Sequence, residues 1–285
     1  MCAGFVFQQQ VAEGDSPIVL AVGKVLVCAR MESRGFGESK EARGLKVILY
    51  YTCNTHPLNI ETACRNHLLA IRGDMPLITV SLNQPIDFGD VRITMEGKRS
   101  PEMMHRQILT GLEQVEPGST VFMAESDVLY HPSHYDFEPP RTNVFYYNEN
   151  TWKVDSATGQ ALFYYTKQLS GCCAYSNLLL GHYRKRMARI EEVGRYEHGL
   201  GYEPGCHPWP RGVDPYIADR WMSPVCNVDI RHPQTQTKNR WSQDQFRNKS
   251  TCLGWTMADN VPGWGRTKGR FDEFLKDVEV QYECR

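Results

Sequence analysis

Buried-strand and amphipathic-helix patterns alternate over the first half of the chain. The apolar run Lys46–Tyr51 predicts a buried strand, and Pro57 then opens a helix whose apolar residues recur at helical spacing. A second strand is predicted over Leu77–Leu82, a second helix begins at Ser100-Pro101, and a third strand covers Ser119–Ala124. This alternation predicts an α/β fold with parallel strands covered by helices and a ligand site at their carboxyl ends.

The pattern changes after Asp127. Three runs there, Thr142–Tyr147, Trp152–Asp155 and Ala161–Thr166, are typical of antiparallel strands, so we expect a mixed, mostly parallel sheet. Ser176 should cap a helix over Ser176–Glu192. The sequence beyond it is rich in Pro, Gly and Trp and predicts long ordered loops that shape a pocket.

We expect three segments along the chain. The apolar run Pro17–Cys28 is shorter than the ~20 residues of a membrane span and predicts a strand pair. A polar, glycine-bearing stretch follows it, so residues 1–44 are interpreted as an accessory segment. The main domain is then expected over 45–235, with a C-terminal extension over 236–285 packed on it.

Composition narrows the class of protein. With 285 residues, 41% of them hydrophobic, the chain can bury one substantial core. Its 10 cysteines form no C-x-x-C pair, which favours free thiols in a reducing compartment. The amino terminus lacks the pattern of a signal peptide, so we predict a cytoplasmic protein without a membrane anchor. The net charge of -1 conceals a basic stretch, residues 183–270, with 15 Lys and Arg against 9 Asp and Glu.

The run Glu125-Ser126-Asp127 ends the third predicted strand with two acids. Carboxylates one residue apart in a turn can both reach one hard cation or its water shell. A cation there could neutralise a diphosphate leaving group. The alternative is that Glu125 and Asp127 are ordinary strand-end carboxylates, since such triplets are common.

Four stretches together resemble glycosyltransferases of the GT-A fold, of the compact kind found in bacteria and bacteriophages. Tyr50–Asn54 looks like the first strand and nucleotide-contacting turn, and Glu125–Asp127 looks like the metal-binding DxD motif. Gly97–Ser100 is similar in placement to the helix that precedes the motif, and Gly171–Tyr175 resembles the acceptor loop that follows it. The resemblance covers about residues 45–235.

The resemblance implies a Mn²⁺ or Mg²⁺ ion and a nucleotide-sugar donor, with a UDP-sugar expected. Glu125 and Asp127 would hold the metal, although Glu in place of Asp lengthens the first arm and makes Asp127 the safer ligand. His232 stands where such enzymes often recruit a further metal ligand, and a loop histidine bonded to backbone is the alternative. His131 and His134 compete for the same role.

The same resemblance implies that Thr52, Asn54 and Ser126 contact the nucleotide. Lys98 and Arg99 could pair with its phosphates, because ammonium and guanidinium groups suit phosphate oxygens. Solvated loop charges are the alternative for both residues.

Glu203 is the first candidate for a catalytic base that deprotonates the acceptor hydroxyl. It sits in the turn Tyr202–Gly205, in the region expected to face the acceptor, and a solvated turn residue is the alternative. Asp127 is assigned to catalysis through the metal. A reaction that retains configuration would need no base at this position.

The basic stretch, residues 183–270, contains aromatic and cationic residues that could bind the acceptor. Flat aromatic rings stack on sugar faces and equally on nucleobases, while cations follow a phosphate backbone. The acceptor is therefore a hydroxymethylated base in phage DNA or a glycan, lipid or small molecule. A nucleotidyltransferase and a non-catalytic binding protein are the rival functions, and the oligomeric state is open. The stretch contains five tryptophans, which are Trp209, Trp221, Trp241, Trp255 and Trp264.

Overall fold

The computed structural model describes residues 18–22, 25–29, 44–196, 203–206, 217–238, 240–246 and 252–283. Within these residues, a sheet of nine strands forms the largest layer. Its strands, in spatial order, are β1 (Ile18–Val22), β2 (Val25–Ala29), β5 (Val91–Met95), β4 (Leu77–Leu82), β3 (Lys46–Thr52), β6 (Thr120–Glu125), β11 (Cys172–Tyr175), β8 (Phe145–Asn148) and β12 (Ala218–Trp221).

Most strands of this first sheet run in one direction. β5, β4, β3 and β6 are parallel neighbours, and β12 is parallel to β8. β2 pairs antiparallel with β1 and β5, and β11 pairs antiparallel with β6 and β8. The fold is therefore α/β with a mixed, mostly parallel sheet, as the sequence predicts, and the carboxyl ends of β3, β4 and β6 meet at one edge.

Two helices pack on one face of the first sheet. α2 (Pro101–Leu112) and α3 (Ser176–Val193) bury their apolar residues against it, for example Ile108 beside Leu49. α2 approaches β3 so closely that a Cβ atom on Gly111 would lie 2.3 Å from Leu49 Cδ1. A larger residue at this point of the helix would have to displace the end of the Leu49 side chain.

A third helix separates the first sheet from the second. α1 (Leu58–Ile71) packs Leu68 against the opposite face of the first sheet. Its other apolar side, including Ile60, packs against α4 (Phe271–Glu283) and the second sheet. The two sheets thus share one helix as a common support.

The second sheet has five strands in the described part of the chain. β6 and β7 (Val128–Leu129) belong to different sheets and are joined only by Ser126 and Asp127, so the chain crosses between the sheets at these two residues. A short hairpin, β15 (Asn260–Val261) with β16 (Gly265–Arg266), stands apart. In spatial order the second sheet consists of β14 (Thr256–Ala258), β10 (Ala161–Phe163), β9 (Thr151–Asp155), β13 (Asn227–Arg231) and β7 (Val128–Leu129).

The elements predicted for the first half of the chain are confirmed. β3, β4 and β6 lie within one residue of their predicted bounds, and Pro57 occupies the N-cap position of α1. Ser100 caps α2, because its Oγ accepts a hydrogen bond from Met103 N at 3.1 Å. The strand pair predicted over Pro17–Cys28 is β1 and β2, which come from the expected accessory segment and extend the main sheet beside β5.

Three predictions for the second half were wrong in detail. The strand predicted over Ala161–Thr166 ends at Phe163, after which the chain turns to line a cavity. Ser176 is the first residue of α3 rather than its cap, and its hydroxyl donates to Glu116 O at 3.0 Å. The strand predicted over Thr142–Tyr147 begins only at Phe145.

The region after α3 is also more regular than predicted. Long loops were expected there, yet it contains β12 to β16 and α4. β12, β13 and β14 are short and pair with distant partners, so they leave little local pattern in the sequence. The described cysteine side chains form no disulfide and are Cys53, Cys64, Cys172, Cys173, Cys206, Cys226 and Cys252.

Candidate metal centre

A cavity of about 630 Å³ opens at the carboxyl edge of the first sheet. The ends of β3, β4 and β6 contribute Thr52, Leu82 and Glu125 to its lining. The second sheet contributes Arg231 from the end of β13, and Tyr164 follows β10. Parallel strands predict a ligand site at this edge, and the volume is in the range of small-molecule sites.

Three side chains that could hold a metal ion converge at the cavity: His56, Asp127 and His232. One ligand atom of each lies within 4.8 Å of the ligand atoms of the other two. His232 Nε2 is 3.3 Å from Asp127 Oδ2. His56 and Asp127 line the cavity, whereas His232 is buried beside them.

The cluster lies where the two sheets meet. His56 follows β3 of the first sheet, and Asp127 stands at the crossing from β6 to β7. His232 directly follows β13 of the second sheet. β13 pairs antiparallel with β7, and Ile230 N donates to Asp127 O at 2.8 Å. This pairing brings His232 to Asp127.

The surrounding hydrogen bonds leave ring nitrogens available for a cation. Gln234 Oε1 lies 3.1 Å from His232 Nδ1, and Ser126 Oγ lies 2.7 Å from His56 Nδ1. When each Nδ1 carries its proton, each Nε2 keeps its lone pair. The hydrogen bond from Gln234 N to His232 Nδ1 at 3.3 Å belongs to the other tautomer, and His56 Nε2 also lies 3.7 Å from Cys53 Sγ. His232 Nε2 is a buried nitrogen that makes no hydrogen bond, although it faces Asp127.

The donor set therefore fits a divalent cation. Imidazole nitrogen and carboxylate oxygen bind such ions at about 2.0–2.2 Å, and two ligands of one ion then lie about 3 Å apart. The 3.3 Å between His232 Nε2 and Asp127 Oδ2 agrees with that separation. The second nitrogen of each histidine is held by a neighbouring oxygen, as is usual for histidine ligands.

Electrostatics keep Asp127 ionised. Burial alone would raise its pKa, but the contact with His232 and the neighbouring basic groups His56 and Arg231 lower the pKa below its usual value. Burial would likewise lower the pKa of His56, yet its contact with Cys53 and the charge of Asp127 raise it. The cluster thus contains a buried anion surrounded by basic groups.

Glu125 lies beside the cluster rather than in it. Tyr51 Oη donates a hydrogen bond to Glu125 Oε1 at 2.5 Å, and Glu125 N donates to Tyr130 Oη at 3.0 Å. Burial and the charge of Asp127 raise the pKa of Glu125 to about 8, against the effect of the Tyr51 hydrogen bond. Of the three predicted metal ligands, the structure brings Asp127 and His232 together and holds Glu125 against Tyr51.

Thr52 and Asn54 hold the loop that carries His56. Asn54 adopts a left-handed conformation with φ of 55°, and its Nδ2 donates to Leu82 O and Gln84 O at 2.9 and 3.0 Å. Thr52 lines the cavity, and its Oγ1 donates to Glu61 at 3.1 Å. Thr52 therefore reaches the cavity, while the amide hydrogens of Asn54 serve the fold.

The other predicted residues are divided between the cavity and the surface. Arg99 lines the cavity and donates to Gln234 O at 2.6 Å, whereas Lys98 is exposed and is not among the lining residues. Glu203 lines the cavity. Ser126 also lines it, and its hydroxyl contacts His56.

His131 and His134, the competing candidates, lie outside the cluster. His131 Nδ1 contacts Ser133 Oγ at 2.8 Å. His134 is buried, and its Nδ1 contacts the side-chain amides of Asn148 and Asn227 at 3.0 and 3.1 Å. Burial lowers the pKa of His134 to about 3, so it is a neutral core residue.

The described tryptophans of the basic stretch are half-buried, and three of them contact other groups of the protein. Trp221 stacks on Phe137, and Trp255 stacks on Tyr164. Trp264 donates through Nε1 to Cys226 O at 2.7 Å. Trp241 is half-buried, and Trp209 lies outside the described residues.

Two features of the cavity escaped sequence reasoning. His56 is the first, although it follows the same strand as the predicted nucleotide-contacting turn, so its place at a parallel strand end was a usable signal. The second is the buried Glu149, whose carboxylate pairs with Lys167 at 3.4 Å and with Arg220 at 3.3 Å. The cavity is also lined by Arg240.

Comparison with known proteins adds no family assignment, since no protein-family model and no curated protein matches the chain. Among the described helices, none is both long and apolar enough to cross a membrane. The function must therefore be argued from the cavity.

Proposed function

We propose that this protein is a metal-dependent glycosyltransferase that moves a sugar from a nucleotide-sugar to an acceptor hydroxyl. The observation that carries the proposal is the convergence of His56, Asp127 and His232 at a cavity formed by the ends of parallel strands. A divalent ion, Mn²⁺ or Mg²⁺, would supply positive charge to the leaving diphosphate.

The charges around the cavity support a phosphorylated ligand. Arg99, Lys167, Arg231 and Arg240 all line it. Guanidinium and ammonium groups suit phosphate oxygens. Arg231 donates to Asp229 and to Thr237 O, which holds the end of its side chain in place. We expect a UDP-sugar as donor, with its diphosphate near Asp127.

The transfer breaks the bond between the anomeric carbon and the diphosphate oxygen and forms a bond from that carbon to the acceptor oxygen. The acceptor proton must leave to a base. Glu203 lines the cavity and is proposed for this step if configuration is inverted. Glu149 also lines the cavity, where its carboxylate pairs with Lys167 and Arg220.

Two classes of acceptor are predicted: a hydroxymethylated DNA base, and a glycan or small molecule. The internal packing of Trp221 and Trp255 gives neither class an advantage. Assays with both acceptor classes are therefore needed alongside the donor screen.

The donor screen is the test of the proposal. UDP, GDP and CMP nucleotides are added with and without Mn²⁺, and we expect one of them to raise the melting temperature only with metal, because a ligand of the folded state stabilises it. Asp127→Asn should abolish both this shift and the release of nucleotide from the matching nucleotide-sugar. Asp272→Asn, at an exposed position of α4, is the matched control and should behave as the parent.

Two results would reject the proposal. One is the absence of any nucleotide-induced shift under all metal conditions. The other is full transfer activity in a folded Asp127→Asn variant.

A further inference from the structure

We infer that His56 completes a site of three protein ligands that selects a transition-metal ion over Mg²⁺ and binds it before any nucleotide arrives. The inference rests on the proposed function for its use in transfer, but its physical basis is the cluster alone. His56 comes from the loop after β3, while Asp127 and His232 flank the paired strands β7 and β13.

The ligand types determine the expected selectivity. Mg²⁺ favours an octahedral set of oxygens and keeps several waters, so it is usually held by one or two carboxylates and substrate phosphates. This cluster offers two imidazoles and one carboxylate. Imidazole suits transition metals, and affinity for such sites rises from Mn²⁺ to Co²⁺, with Zn²⁺ above Mn²⁺ as well. Mn²⁺, Co²⁺ and Zn²⁺ should therefore all bind more tightly than Mg²⁺.

The positions of the ligands indicate binding without nucleotide. Each of the three side chains is held by contacts within the protein. His56 Nδ1 lies 2.7 Å from Ser126 Oγ, His232 Nδ1 lies 3.1 Å from Gln234 Oε1, and Asp127 faces His232 at 3.3 Å. Ligands already held in place lose less entropy on metal binding.

Ser126 acquires a specific role in this arrangement. It stands between the two acids of the motif and is 1% exposed, and its hydroxyl contacts His56 across 70 positions of sequence. We therefore assign Ser126 as a positioning residue for His56 rather than as a nucleotide contact. Loss of such outer-shell partners typically costs 10–100-fold in metal affinity.

The test measures metal binding by the full chain without nucleotide. Loss of the free Mn²⁺ signal in electron paramagnetic resonance gives Kd, Mg²⁺ competition gives selectivity, and Co²⁺ gives a visible absorption spectrum. We expect Mg²⁺ to compete at no less than about 100-fold higher concentration than Mn²⁺. His56→Ala should raise the Kd for Mn²⁺ by about 100-fold and Ser126→Ala by about tenfold.

His131→Ala is the matched control, because His131 is a loop histidine outside the cluster and should leave the Kd unchanged. Circular dichroism and thermal melting verify that each variant folds. His56→Gln replaces His56→Ala if the latter does not fold, and the Mg²⁺ competition needs no variant.

The inference is overturned if Mg²⁺ displaces Mn²⁺ at comparable concentration, if Mn²⁺ binds only together with a nucleotide, or if folded His56→Ala binds Mn²⁺ as the parent does. Its failure differs from that of the proposed function. Binding of Mn²⁺ without any nucleotide response leaves the inference standing and removes the glycosyltransferase. If the metal binds only in the presence of UDP, the inference fails and the proposed glycosyltransferase stands.

Discussion

The two sheets that meet at the metal centre are built differently. In the first sheet, β3, β4 and β6 are parallel strands whose residues are almost all buried, and helices link them along the chain. The second sheet collects strands from positions 128 to 258 and buries charged side chains, among them Lys153 and Asp229. The first sheet is largely apolar and brings polar residues such as Thr52 and Glu125 to the cavity at its strand ends, whereas the second sheet buries charged side chains within it.

The buried charges of the second sheet illustrate the difference. Lys153 Nζ donates to Thr151 O at 3.1 Å and lies 4.3 Å from the centre of the Tyr164 ring. Burial lowers its pKa to about 7. Asp229 accepts from Gln168 at 2.5 Å. Such groups are costly to bury unless every partner is present, so we expect the second sheet to depend on its hydrogen bonds and the first on its packing.

The largest loss of stability should follow from truncating a buried side chain in the core of the first sheet. Leu49 on β3 is fully buried against α2, so Leu49→Ala should lower the free energy of unfolding by about 2–5 kcal/mol. Urea denaturation followed by circular dichroism measures it. The control is Leu58→Ala, which changes a leucine that is 72% exposed and should cost less than about 0.5 kcal/mol. Equal costs for the two variants would refute the scaffold role of this face.

A smaller loss of stability should follow from removing a buried side-chain amide in the second sheet. Asn227 at the start of β13 accepts from His131 N at 3.0 Å, and its Nδ2 contacts His134 at 3.1 Å. Asn227→Ala leaves buried partners unsatisfied and should cost about 1–3 kcal/mol. Hydrogen exchange should show loss of protection in β13 before β4, since openings are local.

The matched control for Asn227→Ala is Asn260→Ala, at an exposed position of β15. It should change the free energy of unfolding by less than about 0.5 kcal/mol. Uniform loss of protection over both sheets in Asn227→Ala would contradict the proposed difference, because it would mean that the second sheet has no separate dependence on its polar contacts.

The contrast between the sheets also explains what the sequence could predict. β3, β4 and β6 leave continuous apolar runs, and α1 and α2 leave a helical period, so local patterns were sufficient. β5 was missed although its five residues alternate between apolar and polar, which was a usable strand signal. β7 was missed because it has two residues and exists only through its pairing with β13.

The same reasoning applies to the metal centre. Asp127 could be singled out because it lies two residues after the end of a buried strand. His232 was placed by resemblance, since its distance from Asp127 depends on the pairing of β13 with β7. His56 follows the predicted strand β3, which was a usable signal, but its contact with Ser126 spans 70 positions and arises from the pairing of β3 with β6. Local pattern thus identified one ligand, and non-local pairing supplied the others.

The smallest effect should come from a contact that lies within one predicted element. Ser100 Oγ accepts a hydrogen bond from Met103 N at the start of α2, so Ser100→Ala should cost about 1 kcal/mol in urea denaturation. Ser100→Asp is the matched control and should recover most of the loss, because a carboxylate also caps a helix and favours its amino terminus. Because the contact is local, protection from hydrogen exchange should fall in the first turn of α2 and stay unchanged in β13. A loss of protection that reached β13 would show that the first-sheet layer and the second sheet are coupled through α2, and the distinction between local and non-local construction would then fail.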